Sequence, residues 1–122
     1  MQEYIIFAAM RQMNSDKEVS LENKNFRVGL SHGDIINGNM FCHLKVGYNA
    51  NDYGFLTNKC RFVSREEAAD IARNSGQLLP HCTETKCLNS YEIDMVKASN
   101  QFKTDNYKMY NFLKYFDGDE SE

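Results

Sequence analysis

The chain begins with a run from Glu3 to Met13 (EYIIFAAMRQM) in which apolar residues occupy both parities. Successive strand side chains point to opposite faces, so this run predicts a strand buried on both faces. Arg11 breaks the run near its end. Residues 14–25 (NSDKEVSLENKN) are polar and read as a loop. From there the pattern alternates cleanly. Phe26, Val28 and Leu30 share one face and Arg27 and Gly29 the other, as in a half-buried strand. The period changes at Ser31, an expected helix N-cap. His32, Gly33 and Asp34 form the expected first turn. Ile36, Met40, His43 and Leu44 follow at helical spacing, and Gly47 is the expected stop.

Residues 49–63 predict a β-hairpin. Tyr53, Phe55 and Thr57 alternate, Asn58-Lys59 turns the chain, and Arg61, Phe62 and Val63 return. Asn suits the left-handed backbone that such turns require. Ser64 follows at once with Glu67 three residues on, the spacing of a capping box. Ala68, Ile71, Ala72 and Ser75 make a narrow stripe that lets a helix lie close on a sheet, and Gly76 ends that helix. Residues 78–89, around Pro80 and two cysteines, read as irregular. Ser90 is expected to cap a short helix through Met95 and Val96. A last helix is expected from Thr104 to Phe116, with Met109, Phe112, Leu113 and Phe116 on one face. Tyr107, Tyr110 and Tyr115 widen its aromatic surface, which calls for cover from the domain or a partner. The order of elements predicts an α+β fold with a mostly antiparallel sheet, a β-hairpin and three to four helices.

A chain of 122 residues fits one domain, expected here over residues 1–116, and can bury a core without metal or disulfide staples. The acidic end, residues 117–122, is expected to be disordered. The net charge of −3 falls wholly on residues 90–122, because acids and bases balance before that point. A duplex-binding protein carries a broad basic face, and none is visible, so long nucleic acid is not an expected partner. The longest apolar run, Tyr4 to Met10, is too short to span a bilayer, and the start lacks a secretory signal. The expected location is the cytoplasm, where Cys42, Cys60, Cys82 and Cys87 stay as thiols.

The residues bear on several chemistries. REEAADIA invites comparison with the box of Nudix hydrolases, which holds Mg²⁺ on a string of Glu. Glu66, Glu67 and Asp70 lie on this helix, but Cys60 stands where the upstream Glu is needed. Asp70-Ile71-Ala72 stands where the late Glu pair is needed. The zinc pattern is also incomplete, with Cys42-His43 and His81-Cys82-x4-Cys87 short of two close cysteine pairs. Glycine-rich phosphate loops are absent. No catalytic residue, metal or cofactor is expected. Features that suit a small anion remain. Ser31-His32-Gly33-Asp34 opens a helix. Arg11, Arg27, Arg61 and Arg65 lie near strand ends, and an Arg fork binds two phosphate oxygens. Tyr53, Phe55 and Phe62 could stack a base.

The stretches AAMR, HGDII, GFLTNKCRFVSREEAADIARNSGQ and LNSYEID together resemble a family of small phage proteins, the anti-Thoeris proteins of the first type. The resemblance covers residues 4 to 95. It departs from the family pattern at Cys60, where a Gly is expected, and at Tyr91-Glu92-Ile93-Asp94, where a Glu-Asp pair is expected. It implies a sponge that holds glycocyclic ADP-ribose, a cyclic immune signal of the infected bacterium, without cleaving it. The family is also associated with cyclic di- and trinucleotides held at a separate site. Homodimers, and hexamers built as trimers of dimers, are the assemblies it implies. The residues selected for ligand binding are Arg11, His32, Phe55, Arg61, Arg65, Ser90 and Asp94. The Arg residues would hold phosphates, Phe55 would stack on the base, and Ser90 or Asp94 would bond base or ribose. The alternatives are a Nudix-like hydrolase and a host-protein inhibitor acting through its C-terminal aromatic helix.

Overall fold

The structure, a computed structural model, describes residues 2–11, 26–37 and 52–115. The expected loop at 14–25, the first helix beyond residue 37, residues 49–51 of the hairpin, Phe116 and the acidic tail lie outside the described residues. Four strands form one antiparallel sheet: β1 (Ile5–Arg11), β2 (Phe26–Gly29), β3 (Asp52–Thr57) and β4 (Phe62–Ser64), in the order β2-β1-β3-β4. Helices α1 (His32–Ile36), α2 (Arg65–Ser75), α3 (Met95–Asp105) and α4 (Tyr107–Tyr115) complete an α+β domain.

β1 is central, and every side chain from Tyr4 to Met10 is buried, as its doubly apolar pattern predicts. Its pairing with β3 shifts register between Ile5 and Phe7. Side chains take over the hydrogen bonding at this end of the strand. Asn58 accepts from the Tyr4 amide at 2.8 Å and donates to the Gln2 carbonyl at 3.1 Å. Gln77 does the same for Ile5, so the part-buried backbone is satisfied without a longer neighbouring strand.

The hairpin turns as expected, but its left-handed residue is Cys60 (φ 60°) rather than Asn58. The Cys60 amide donates to the Thr57 carbonyl and the Thr57 amide to the Arg61 carbonyl, at 2.8 and 3.0 Å. That is a tight turn closed by one left-handed residue, the position where Gly is favoured. Gly54 on β3 has no room for a side chain. A Cβ there would lie 2.2 Å from the Val63 carbonyl oxygen and 2.5 Å from the Phe62 ring.

α2 starts at Ser64, whose Oγ accepts from the Glu67 amide at 3.1 Å. The reciprocal half of the expected capping box does not form, because the Glu67 carboxylate turns to Arg61. Ala68, Ala69 and Ala72 are buried, a wider stripe than the spacing suggested, and Gly76 ends the helix left-handed at φ 78°. In α1 the buried residue is Ile35. Ile36, expected on the apolar face, is exposed.

The third and fourth helices begin elsewhere than expected. Ser90–Glu92 is a single 3-10 turn capped by Asn89 and Glu92. Ile93 is then held extended by a bridge to Leu78, so a helix cannot run through it. Asp94, not Ser90, caps α3, accepting from the Lys97 amide at 3.0 Å. Residues 104 and 105 belong to α3, and Asn106 breaks the helix and caps α4 through the Met109 amide. α4 is covered by its own domain. Tyr110 and Leu113 are buried, and Tyr110 stacks on Phe7 with ring centroids 6.3 Å apart. The Tyr4 hydroxyl donates to Asp105 at 2.6 Å, fixing the end of α3 to β1.

Candidate functional site

β3 and β4 pair Phe55 with Val63 and Gly54 with Ser64. Arg65 follows at once as the first residue of α2, close enough to His32 for its charge to act on the ring. Tyr53 and Phe55 share one face of β3, since side chains alternate. α1 lays His32 over this face. The helix starts because Ser31 Oγ accepts from the Asp34 amide at 3.0 Å.

His32 Nε2 lies 2.7 Å from the Gly54 carbonyl oxygen, which only accepts, so Nε2 carries the proton. The ring meets Phe55 edge-on at 5.0 Å and Tyr53 tilted at 5.4 Å. Burial pushes the His32 pKa below its ordinary value, opposed by the carbonyls of Gly54 and Ala9 and assisted by the Arg65 cation. Desolvation thus favours the neutral imidazole over the imidazolium. Tyr53 is 40% exposed, whereas Phe55 is fully buried at 0%. The expected stacking role of Phe55 does not fit, because neither face of its ring is open. Tyr53 presents the accessible ring.

Among the arginines with described side chains, Arg65 differs from Arg61 and Arg73 in its partners. Arg61 donates to both Glu3 oxygens, at 3.0 and 2.9 Å, and to Glu67 at 2.9 Å. Its charge is therefore matched by two carboxylates. Those carboxylates raise the Arg61 pKa, and the Arg61 hydrogen bond lowers that of Glu3. The expected phosphate role of Arg61 is thus displaced by a brace between the N-terminus, the hairpin and α2. Arg73 pairs with Asp70 at 2.9 Å and donates to the carbonyls of Thr83 and Thr85. Arg65 instead donates from Nε to the Leu88 carbonyl at 3.0 Å and from Nη2 to Asn89 Oδ1. Both acceptors are neutral. Among the described residues Arg65 has no carboxylate partner, and its Nη1 group is unspent.

The other selected residues fall in different places. Arg11 ends β1, paired with Phe26 and Asp52, and its side chain lies outside the described set. Ser90 begins the 3-10 turn next to Asn89, on the Arg65 side of the molecule. Asp94 caps α3 beside a cleft of ≈ 140 Å³ that it shares with Gly76, Lys97 and Gln101. The structure therefore groups His32, Phe55 and Arg65, with Ser90 adjoining through Asn89, and sets Arg61 and Asp94 apart.

The acids of the Nudix comparison are placed too. Glu67 is bonded to Arg61 and Asp70 to Arg73. Glu66 and Asp70 line an open cleft of ≈ 550 Å³ with Arg73, Thr83, Glu84 and Lys86, where charges of both signs mix. Among the described residues no group of three or more His, Cys, Asp or Glu is placed to hold a metal ion. No helix among them is long and apolar enough to cross a membrane.

Residues 4–95 match the model of the Phage T4 y16D protein family. The chain belongs to that family. It is a phage protein, and the matched segment includes β1 to β4, α1, α2 and the Arg65–Asn89 contact. No curated protein matches the chain, and no solved structure does. The match to the y16D family stops where α3 begins, so Phe102, Tyr110 and Leu113 complete the core from beyond it.

Tyr53 and Asn89 are site residues outside the set selected from the sequence. Tyr53 was among the aromatic residues considered, but alternation alone does not say which ring on a shared face is covered. Asn89 carried a usable signal, since Asn-Ser-Tyr-Glu has capping-box spacing.

Proposed function

We propose that this phage protein sequesters a small cyclic nucleotide signal of bacterial immunity, glycocyclic ADP-ribose above all, without cleaving it. The observation that carries the reading is Arg65: a half-buried guanidinium whose bonds among the described residues go to neutral carbonyls, near His32, which packs against the exposed ring of Tyr53. A cation with a spare donor face is suited to a phosphate, and a half-open aromatic ring to a base. In this reading Arg65 holds the pyrophosphate and Tyr53 stacks on adenine. His32 packs against Tyr53 and limits its motion. Ser90 is near enough to the Arg65–Asn89 contact to reach a ribose hydroxyl.

The resemblance to anti-Thoeris sponges of the first type supports the same reading and adds two elements to it. Homodimers, joined as a trimer of dimers, would enclose a ligand between subunits and exclude water around it. Cyclic di- or trinucleotides would be a second ligand class. Sequestration asks for binding groups alone, and binding is the chemistry that Arg65, Tyr53 and His32 offer.

The test is to incubate the purified protein with glycocyclic ADP-ribose, remove free ligand, denature by heat and analyse the supernatant. Recovery of intact ligand, lost in Arg65→Ala, is the expected result. Recovery of a cleaved product, or of none, rejects sequestration.

A further inference from the structure

Asn89 is a neutral partner of the Arg65 cation. Its Oδ1 must face Arg65, because a guanidinium only donates. Its Nδ2 then faces the Glu92 carboxylate, at 3.3 Å from Oε1. The same Oε1 accepts from the Asn89 amide at 2.8 Å and from Thr85 Oγ1 at 3.0 Å. One Glu92 oxygen thus accepts from three donors, one of them the Asn89 side chain, which it orients. Asn89 in turn fixes Nη2 of Arg65, and the Leu88 carbonyl fixes Nε. Arg65 returns the contact through its own carbonyl, which accepts from the Leu88 amide at 2.9 Å. The guanidinium is immobilised, and among the described residues no carboxylate bonds it. Arg61 and Arg73 are immobilised too, but by carboxylates.

We infer that Asn89 is the specificity-determining residue of the site: it orients Arg65 through a neutral carbonyl and so keeps the cation available for an anionic ligand. Glu92 acts behind it as a positioning residue. The inference rests on Arg65 as the anion contact of the proposed function. A carboxylate at position 89 would make the same hydrogen bond to Arg65 but neutralise it, and would repel a phosphate besides. Removing the side chain would leave Arg65 charged but less well held. The order of anion affinity is therefore Asn above Ala above Asp, whereas the order of packing disruption places Ala with or below Asp.

The experiment is calorimetric titration of the full-length protein with inorganic pyrophosphate, together with thermal midpoints, for the parent, Asn89→Ala and Asn89→Asp. Expected are binding by the parent, a loss of a few fold in Asn89→Ala, and a loss of about tenfold or more in Asn89→Asp, whose new carboxylate also faces Glu92 and lowers its midpoint. Should Asn89→Asp not unfold cooperatively, Asn89→Asp/Glu92→Gln replaces it. A Gln amide can donate to the new carboxylate, so this variant restores the packing while Arg65 stays neutralised, and it must also lose binding. Asn89→Asp or its replacement binding as the parent does, or Asn89→Ala losing as much, overturns the inference and leaves the sponge reading intact. A parent that does not bind pyrophosphate also overturns it. A parent that binds pyrophosphate but not glycocyclic ADP-ribose rejects the sponge reading while the role of Asn89 stands.

Discussion

The side-chain amide of Gln77 pairs with both backbone polar groups of Ile5, accepting from its N–H at 2.9 Å and donating to its carbonyl at 2.8 Å. It stands in for a strand where the β1–β3 register shifts. Gln77→Leu leaves both groups without their partner at a part-buried position. The expected loss is about 2 kcal/mol, read as a lower urea midpoint with an unchanged slope. Gln77→Glu keeps the acceptor alone and should fall between. A Gln77→Leu protein as stable as its parent would show that water serves Ile5 equally well.

Cys60 adopts φ 60°, a conformation that disfavours any residue with a Cβ. Cys60→Gly relieves that strain, partly offset by the greater freedom of Gly in the unfolded chain. The net expectation is a gain of about 0.5–1 kcal/mol, visible as a higher thermal midpoint. Cys60→Val should move the midpoint the other way, because a β-branched residue resists the left-handed region.

Two groups make the fold sensitive to acid in separate windows. The folded-state pKa of His32 is depressed by burial below its ordinary 6.5, so the unfolded chain takes up a proton first. Stability from this group is present above that value and declines as pH falls below it. The pKa of Glu3 is depressed below 4.5, chiefly by its hydrogen bond from Arg61. Its contribution is present above that value and is lost as pH falls through the folded pKa. His32→Gln keeps a donor for the Gly54 carbonyl and should abolish the upper decline alone. Glu3→Gln should abolish the lower one. Urea midpoints from pH 7.5 to 3.5 distinguish them, and an unchanged upper decline in His32→Gln refutes its assignment.

Tyr53 and Phe55 should separate binding from folding. Tyr53→Ala removes an exposed ring, with an expected loss of about 1–3 kcal/mol in affinity for glycocyclic ADP-ribose and little change in melting. Phe55→Ala opens a cavity in the core and costs about 3–5 kcal/mol of stability. Equal affinity in Tyr53→Ala and its parent would remove Tyr53 from the site.

The region matched by the y16D family ends at Met95, but the core does not. A chain ending there loses Phe102, Tyr110 and Leu113, each buried, and uncovers Phe7. The expected outcome is no cooperative thermal transition and strong binding of an apolar dye. A cooperative transition would mean that α3 and α4 are an addition to a finished fold.

Patterning carried far in this chain wherever an element's own side chains define its environment. Tyr4 to Met10 is apolar on both parities, as suits a strand covered on both faces in the middle of a sheet. Ser64, three residues before Glu67, and Gly76 delimit α2 because caps act on local backbone. The antiparallel hairpin followed from alternation and a short turn. Patterning failed where a distant residue competes for a local group. Glu67 had two uses, and Arg61 rather than the Ser64 amide took it. Ser90 looked like the start of a helix, but the bridge between Ile93 and Leu78 holds the chain extended, and Asp94 starts α3 instead.

The site divides along the same line. The sequence by itself determined that this chain has Arg and aromatic residues near strand ends, a His at a helix start and an α+β frame to display them, since residue type and periodicity are local properties. Only the tertiary structure decided which cation is spent and which ring is covered. Arg61 and Arg65 are four residues apart and equal in chemistry, yet one meets Glu3 and Glu67 and the other Leu88 and Asn89. Tyr53 and Phe55 share a face, yet packing closes one and leaves the other half open. Glu3 reaches Arg61 from 58 positions away and Leu88 reaches Arg65 from 23, and no short window of sequence contains either pair.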